Sequence, residues 1–175
     1  MKKINSGLFL GFLMMLCATS FGDNNNTVQY EGTLISLPCT IDESTPTVVE
    51  FGVIVDKQLY LHEKTSLKPF SIILQDCDVS IANTISLSVQ GTAGNVTSDG
   101  YLMLNPSSTA KGVVIGLMDS SGKKVPMNSV LSPIAISNGT MAIQLNAFVK
   151  IESQNETKII PGEFTAMLYY TLDFN

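Results

Sequence analysis

The sequence predicts an all-β protein, and three observations support that prediction. Apolar and polar residues alternate with a period of two in several segments, which places every second side chain on one face of a β-strand. Turn-forming residues separate these segments at short intervals. No segment of ten or more residues has the periodicity of an amphipathic helix. About seven or eight short strands in this arrangement indicate a single antiparallel β-sandwich of the immunoglobulin-like type.

The carboxyl-terminal segment, residues 162–175, shows the clearest alternation. Its apolar parity consists of Phe164, Ala166, Leu168, Tyr170, Leu172 and Phe174. Pro161 and Gly162 precede the alternation, because proline cannot donate to a strand ladder and glycine tolerates turn geometry. The pattern therefore predicts one long strand from Gly162 to the carboxyl end. A strand with so continuous an apolar face needs a partner surface.

The first 22 residues differ in kind from the rest. Lys2 and Lys3 form a basic start, residues 8–16 are apolar, and residues 20–22 provide a cleavage site with small residues. We predict that residues 1–22 are a signal peptide and that the mature chain begins at Asp23. No later apolar run approaches the ~20 residues of a membrane span, so no membrane anchor is expected.

Charge and composition argue against nucleic-acid binding. The chain of 175 residues contains no arginine, and removing the signal peptide leaves eight lysines and fifteen acidic residues, a formal charge of −7. An acidic protein without arginine repels phosphate backbones and lacks the guanidinium fork that binds phosphate or guanine.

Two cysteines, Cys39 and Cys77, remain in the mature chain. An even count in a secreted protein predicts a disulfide between them, with two separate buried thiols as the alternative. Closing a loop of this length stabilises a fold by about 4 kcal/mol in the chain-entropy model.

Other strands are predicted along the chain before the carboxyl-terminal one. Residues 28–34 alternate Val28, Tyr30, Gly32 and Leu34 with polar residues, and Pro38 then ends the pattern. Later strand segments are residues 48–55, 70–75, 85–90, 101–104, 113–118 and 141–151. Turns are predicted at residues 56–57, 91–100 and 120–122, and residues 138–139, Asn-Gly, give the strongest hairpin signal.

The sequence offers little support for catalysis, and we expect no enzyme activity, cofactor or metal. His62 is the single histidine, and no Gly-x-Ser-x-Gly motif accompanies it, so we interpret it as an exposed loop residue. Asp76 and Asp78 flank Cys77 and resemble an acid–base pair, but solvated acids beside a disulfide are the simpler interpretation.

Along essentially its whole mature length the chain resembles the subunits of chaperone–usher fimbriae, or pili. Gly162 lies fourteenth from the end and Phe174 is penultimate, as in the chaperone-recognition motif of pilins. Residues 28–34, leading into Pro38 and Cys39, resemble a pilin donor strand. Residues 112–119 with Gly122 are similar to the family's glycine-rich strand and turn.

The resemblance implies an incomplete immunoglobulin-like β-sandwich, residues 37–175, completed by a donor strand from another subunit. Residues 23–36 would be the donor-strand extension, inserting Val28, Tyr30, Gly32 and Leu34 into a neighbour. The acceptor groove would lie between residues 164–174 and the residues after Pro38. Its predicted chaperone-binding residues are Gly162, Phe164, Leu168, Tyr170, Leu172, Phe174 and Asn175.

The same resemblance implies partners and a destination. A periplasmic chaperone would hold the Asn175 carboxylate with basic residues and lend a strand to the groove, and an outer-membrane usher would exchange it for a neighbouring subunit. The product would be a surface fimbrium that contributes to cell adhesion. Two features depart from the family pattern: Phe174 replaces the common tyrosine, and Asn26 is polar. A terminator or adaptor subunit, or a free-standing secreted carbohydrate-binding sandwich, are the alternatives.

Overall fold

The computed structural model describes residues 28–41, 47–92, 94–152 and 158–175. The chain divides into two units, Met1–Leu34 and Ile35–Asn175. In the first unit the described residues, 28–34, belong to no helix or strand, so the strand predicted there is not formed. The predicted signal peptide and Asn26 lie outside the described residues.

The second unit is built from short and long strands with one short helix among its described residues. In chain order the elements are β1 (Thr40–Ile41), α1 (Asp56–His62), β2 (Lys68–Cys77), β3 (Thr84–Gly91), β4 (Leu102–Met103), β5 (Val113–Asp119), β6 (Lys124–Val125), β7 (Ser129–Val130), β8 (Ile134–Ala135), β9 (Gly139–Ile151) and β10 (Leu168–Phe174).

These strands form two antiparallel sheets, which confirms the predicted all-β, immunoglobulin-like class. The larger sheet has the order β1-β2-β9-β5-β4, and β6 also pairs with β5. The smaller sheet has the order β10-β3-β7, and β8 also pairs with β3. Strand β10 is therefore at one edge of the smaller sheet, and β1 is at one edge of the larger sheet.

The core lies between the two sheets and follows the period of two. In β3, Ile85, Leu87 and Val89 are completely buried, whereas the residues between them are partly exposed. In β9, Leu145 and Ala147 are buried in the same cluster. Alternate residues of both sheets thus face one shared apolar interior, as expected of a sandwich.

A helix begins at the turn predicted for residues 56–57, and the strand predicted before that turn does not form. Residues 48–55 are not a strand, and α1 begins at Asp56, the position of the predicted turn. The helix ends after His62 at Glu63, whose φ of 61° is left-handed. Seven residues make two turns, which is too short for helical periodicity to stand out in a sequence.

The Asn138-Gly139 turn does not form the predicted hairpin. Strand β8, before it, pairs with β3 in the smaller sheet, whereas β9, after it, pairs with β2 in the larger sheet. Gly139 has a φ of 85°, and Asn138 Oδ1 accepts a hydrogen bond of 3.0 Å from the Val79 amide. The two residues do have turn chemistry, but the turn carries the chain between sheets, because local chemistry does not choose a strand's partner.

Candidate functional site

The last strand, β10, pairs with β3 along its whole length, from Leu168 opposite Gly91 to Phe174 opposite Ile85. Within the described ranges no strand pairs with its other side. An edge strand of this kind presents backbone N–H and C=O groups to whatever approaches it. Strand β10 can therefore accept a further strand.

Side chains of β10 alternate as predicted, but they are only partly covered. Leu168, Tyr170, Leu172 and Phe174 are half-buried and pack against the core cluster, and the residues between them are exposed. Opposite Tyr170, Leu172 and Phe174, the β3 residues Val89, Leu87 and Ile85 are fully buried. The apolar row of β10 thus touches the core on one side and remains open on the other.

At its carboxyl end β10 borders a cavity of about 460 Å³. Residues 36–38 line one side and residues 172–175 line the other, with Ile81 and Ala82 between them. The sequence placed the opposite wall after Pro38, whereas the lining here comes from Pro38 and the two residues before it. We call this opening, together with the partly covered row of β10, the edge groove.

The segment before β10 corrects the prediction of a strand that begins at Gly162. Residues 163–167 form no strand, and their backbone contacts a loop instead. The Asn105 amide donates to the Thr165 carbonyl at 2.8 Å, and the Thr165 amide donates to Ser108 Oγ at 3.1 Å. Side-chain hydroxyls thereby replace ladder partners, so the regular strand starts only at Leu168.

Phe164 nevertheless keeps the apolar parity of β10. It is half-buried, and its ring centroid lies 6.2 Å from that of Phe51. Both rings pack against the core. The irregular segment therefore continues the apolar row, although it has lost the strand hydrogen bonds.

Gly162 stands where two backbone segments approach closely. A Cβ at this position would lie 2.7 Å from the Ala110 amide nitrogen and against Thr109 Oγ1. The Thr109 and Ala110 amides both donate to the Glu163 carbonyl, at 2.9 and 3.1 Å. Only a residue without a side chain fits here unless the loop moves.

The terminal residue, Asn175, is fixed by backbone contacts to Asn83 and to Thr84, the first residue of β3. Its terminal oxygen accepts hydrogen bonds from the Asn83 and Thr84 amides at 3.1 and 3.0 Å. Thr84 Oγ1 lies 3.3 Å from the same oxygen. These contacts place the carboxyl terminus at the end of the edge groove, where Phe174 contributes to the lining.

The predicted disulfide between Cys39 and Cys77 is present, and both residues are buried. Cys39 immediately precedes β1, and Cys77 is the last residue of β2. Beside them the Asp78 amide donates to the Pro38 carbonyl at 2.7 Å. The covalent bond and this hydrogen bond hold Pro38, a lining residue of the edge groove, against the larger sheet.

The predicted donor residues lie in the first unit. Val28, Tyr30 and Leu34 are among the exposed large apolar residues, with Leu34 fully accessible. A Cβ at Gly32 would meet nothing within 4 Å. The apolar side chains of this segment are thus available for a partner.

Residues considered for catalysis are exposed and separate. His62 is exposed, but it ends α1 rather than lying in a loop. Hydrogen bonds from the Ser80 side chain and amide lower the pKa of Asp78, as expected of a solvated acid in a turn. In the described part of the chain, no group of three or more His, Cys, Asp or Glu residues could hold a metal ion. No helix among those residues is long and apolar enough to cross a membrane.

One glycine of the glycine-rich segment 112–119 has a packing role that the sequence analysis did not predict. Gly116 lies in the middle of β5 opposite Phe148 of β9. A Cβ on Gly116 would lie 2.7 Å from Phe148 Cε2, so the glycine makes room for the ring. The signal was a glycine inside an otherwise apolar strand, which often marks close packing.

Comparison with known proteins gives consistent results. The model of a family described as "Fimbrial protein" matches residues 28–175. The major fimbrial subunit of Proteus mirabilis (strain HI4320) is 30% identical over 158 residues, covering 90% of this chain and 85% of that protein. The fimbria A protein of Serratia marcescens is 26% identical over 175 residues, covering 99% and 98%. The P pilus rod subunit PapA superposes with a TM-score of 0.68 at 23% identity, covering 79% of this chain and 100% of that chain.

Proposed function

The chain belongs to the fimbrial protein family, whose members are structural subunits of surface fimbriae, and from this premise we propose that its subunits join by donor-strand exchange. Residues 23–36 of one subunit enter the edge groove of the next and pair with β10. The chain then contributes structure and adhesion to the fibre and performs no catalysis.

One observation carries this proposal: β10 is an apolar strand with a neighbour on only one side among the described residues. Its half-buried row, Leu168, Tyr170, Leu172 and Phe174, would be an aggregation hazard in a free secreted protein. A strand added to the open side would cover these side chains and satisfy the edge backbone. The edge groove therefore requires an occupant.

Residues 28–34 have the pattern that such an occupant needs. Burial of Val28, Tyr30 and Leu34 at ~1.5 to 3 kcal/mol each would contribute on the order of 5 to 9 kcal/mol. Main-chain hydrogen bonds to β10 would add to this. Gly32 lies in the same parity and would fit where the backbones of donor and acceptor come closest.

Before assembly, a periplasmic chaperone would occupy the edge groove and an outer-membrane usher would exchange it for the next subunit. Basic residues of the chaperone would bind the carboxylate of Asn175. The hydrogen bonds from Asn83 and Thr84 support this role, because they hold the carboxylate in a fixed position beside Phe174. The route to the surface would thus pass through the periplasm.

The first test is to express the mature chain in an oxidising periplasm with and without a pilus chaperone. We expect soluble protein only with the chaperone, as a one-to-one complex in size-exclusion chromatography with light scattering. A stable soluble monomer without the chaperone would contradict an open groove. A free-standing binding domain would then be the better account.

A second test separates the donor from the acceptor. Deleting residues 23–36 should leave the chaperone complex intact but prevent the truncated subunit from donating to another subunit. A matched pair of substitutions uses the strand parity: Tyr30→Asp should slow exchange at least tenfold, whereas Gln29→Asp, which faces the other way, should change it less than threefold. Equal effects of the two variants would show that residues 28–34 do not insert as a strand.

A further inference from the structure

A second concave surface lies on the larger sheet, on the face turned away from the core. Phe148 and Lys150 have the opposite parity to the buried residues Leu145 and Ala147 of β9, so they project outward. With Tyr101, Lys64 and Lys124 they line a cavity of about 180 Å³. We call these five residues the lysine–aromatic pocket.

Two aromatic rings form the base of this pocket. The Tyr101 and Phe148 rings meet edge to face, with centroids 6.5 Å apart and an interplanar angle of 80°. Phe148 is buried because it lies across Gly116, where any side chain would collide with the ring. The sheet therefore holds the Phe148 ring in place, and Tyr101, which immediately precedes β4, packs against its edge.

Ammonium groups lie over both rings. Lys124 Nζ is 3.7 Å from the Tyr101 centroid and donates to the Asp99 carbonyl at 2.6 Å. Lys150 Nζ lies 5.7 Å from the same centroid, and Lys64 Nζ lies 5.2 Å from that of Phe148. These ring and carbonyl contacts orient the ammonium groups toward the cavity wall.

The chemistry of the pocket favours an anion over a neutral sugar. Cations already approach the faces of the two rings, so the rings do not offer a free platform for stacking. Glu63 also lines the cavity and supplies one negative charge against three lysines. Positive charges gathered around a concave surface raise the local potential and attract a carboxylate.

We propose that the lysine–aromatic pocket receives the carboxylate of an Asp or Glu side chain from a neighbouring copy of this chain in the fibre. Each mature copy carries fifteen acidic residues and eight lysines, a formal charge of −7, so carboxylates outnumber ammonium groups on every copy that the pocket can meet. The pocket is on the outer face of the larger sheet, whereas β10 belongs to the smaller sheet. An occupied edge groove would leave the pocket free for this contact.

This inference rests on the proposed function, since fibres must form before copies meet in this way. The test uses fibres assembled from a mixture of unlabelled and ¹⁵N-labelled subunits and treated with a carbodiimide, which joins an amine to a carboxylate only in direct contact. Mass spectrometry should find Lys64 or Lys124 joined to an Asp or Glu in mixed light–heavy pairs. Links to Glu63 of the same chain would appear only in unmixed pairs.

Salt and matched variants provide the controls. The mixed pairs should decrease at least fivefold between 0.1 M and 1 M NaCl, because the screening length falls from ~10 Å to ~3 Å. Lys57 and Lys111, which are exposed outside the pocket, should give at least fivefold fewer mixed pairs than Lys64 and Lys124. The double variant Lys64→Gln/Lys124→Gln should still form fibres. The diameter of these fibres, measured by electron microscopy, should no longer change between 0.1 M and 1 M NaCl. The control variant Lys57→Gln/Lys111→Gln, with the same loss of charge, should keep the salt dependence of the fibre diameter.

Fibres that assemble normally but give no mixed pairs at Lys64, Lys124 or Lys150 would overturn this inference and leave donor-strand exchange standing. Binding of glucuronate, but not glucose, to the subunit–chaperone complex, together with the absence of mixed pairs, would instead assign the pocket to a soluble acid. If wild-type subunits form no fibres, the proposed function itself fails, and this inference fails with it.

Discussion

Strands β9 and β10 have the same alternation of apolar and polar residues, yet their surroundings differ. Strand β9 pairs with β2 on one side and β5 on the other, and Leu145 at its centre is only 1% exposed. Strand β10 pairs with β3 alone in the described chain, and its apolar residues remain half-buried. Alternation therefore predicts which face of a strand is apolar, but the number of neighbouring strands decides how far that face is buried.

The difference also indicates where binding can occur. The core-facing side chains of β9 are buried within the subunit and contribute their full hydrophobic stabilisation. Those of β10 are half-buried and contribute only part of theirs. The remaining part is available to an added strand, which makes an incompletely buried strand a binding element. If this contrast holds, an occupant of the edge groove should change the effect of substitutions in β10 but not the effect of substitutions in β9.

The largest effect is expected from removing the disulfide that holds one side of the edge groove. The double variant Cys39→Ala/Cys77→Ala should lose about 4 kcal/mol of unfolding free energy, because 38 residues separate the two cysteines. Urea unfolding of the subunit with an excess of donor peptide, residues 23–36, measures this loss. A change below about 1 kcal/mol would show that the larger sheet holds Pro38 without the bond.

The comparison of β9 and β10 can be tested with a matched pair of leucines. Leu145→Ala should destabilise the subunit by about 3 kcal/mol whether the chaperone or the donor peptide occupies the edge groove, because its site is enclosed by the subunit's own strands. With the chaperone bound, Leu172→Ala should destabilise the subunit by only about 1 kcal/mol, but it should weaken binding of the donor peptide roughly tenfold. Urea unfolding and peptide titration measure the two quantities, and equal responses to the peptide would refute the contrast.

Glycine substitutions extend the test to close packing. Gly116→Ala should destabilise the body by about 1 to 3 kcal/mol, because the new methyl group overlaps the Phe148 ring. Gly32→Ala should leave body stability unchanged, since nothing lies within 4 Å of its added Cβ. Thermal unfolding of both variants measures the difference. If the two variants unfold at the same temperature, Phe148 can move aside without loss of stability.

The smallest effect is a pH dependence at the turn between β5 and β6. Hydrogen bonds from the Ser121 hydroxyl and the Lys123 amide lower the pKa of Asp119, with a further contribution from the Lys123 charge. A lowered folded-state pKa means that the stabilisation is present above the unfolded value of about 4 and is lost as pH falls through the folded value. Asp119→Asn should therefore reduce the fall in melting temperature between pH 7 and pH 3. Parallel melting curves for the two proteins would contradict this role.

Some features were predictable because they depend on nearby residues. The positions of β2, β3, β5 and β9 follow from apolar segments between turn signals, and the parity of β10 follows from alternation. The disulfide follows from the cysteine count. The helix α1 was missed because seven residues are too few for its periodicity to be recognised. The predicted strand at residues 162–167 was wrong because hydroxyl groups of a distant loop, including Ser108, provide its hydrogen bonds.

The sequence by itself determined the all-β class, the cysteine pair and which side chains of each strand face the same way. These properties are local, or they follow from the period of two of an extended backbone. Tertiary structure alone decided that Asn138-Gly139 crosses between sheets, that Gly116 makes room for Phe148, and that β10 has one neighbouring strand among the described residues. Strand pairing joins segments far apart in the chain, and its outcome depends on the competition among all strands for partners, which no single segment specifies.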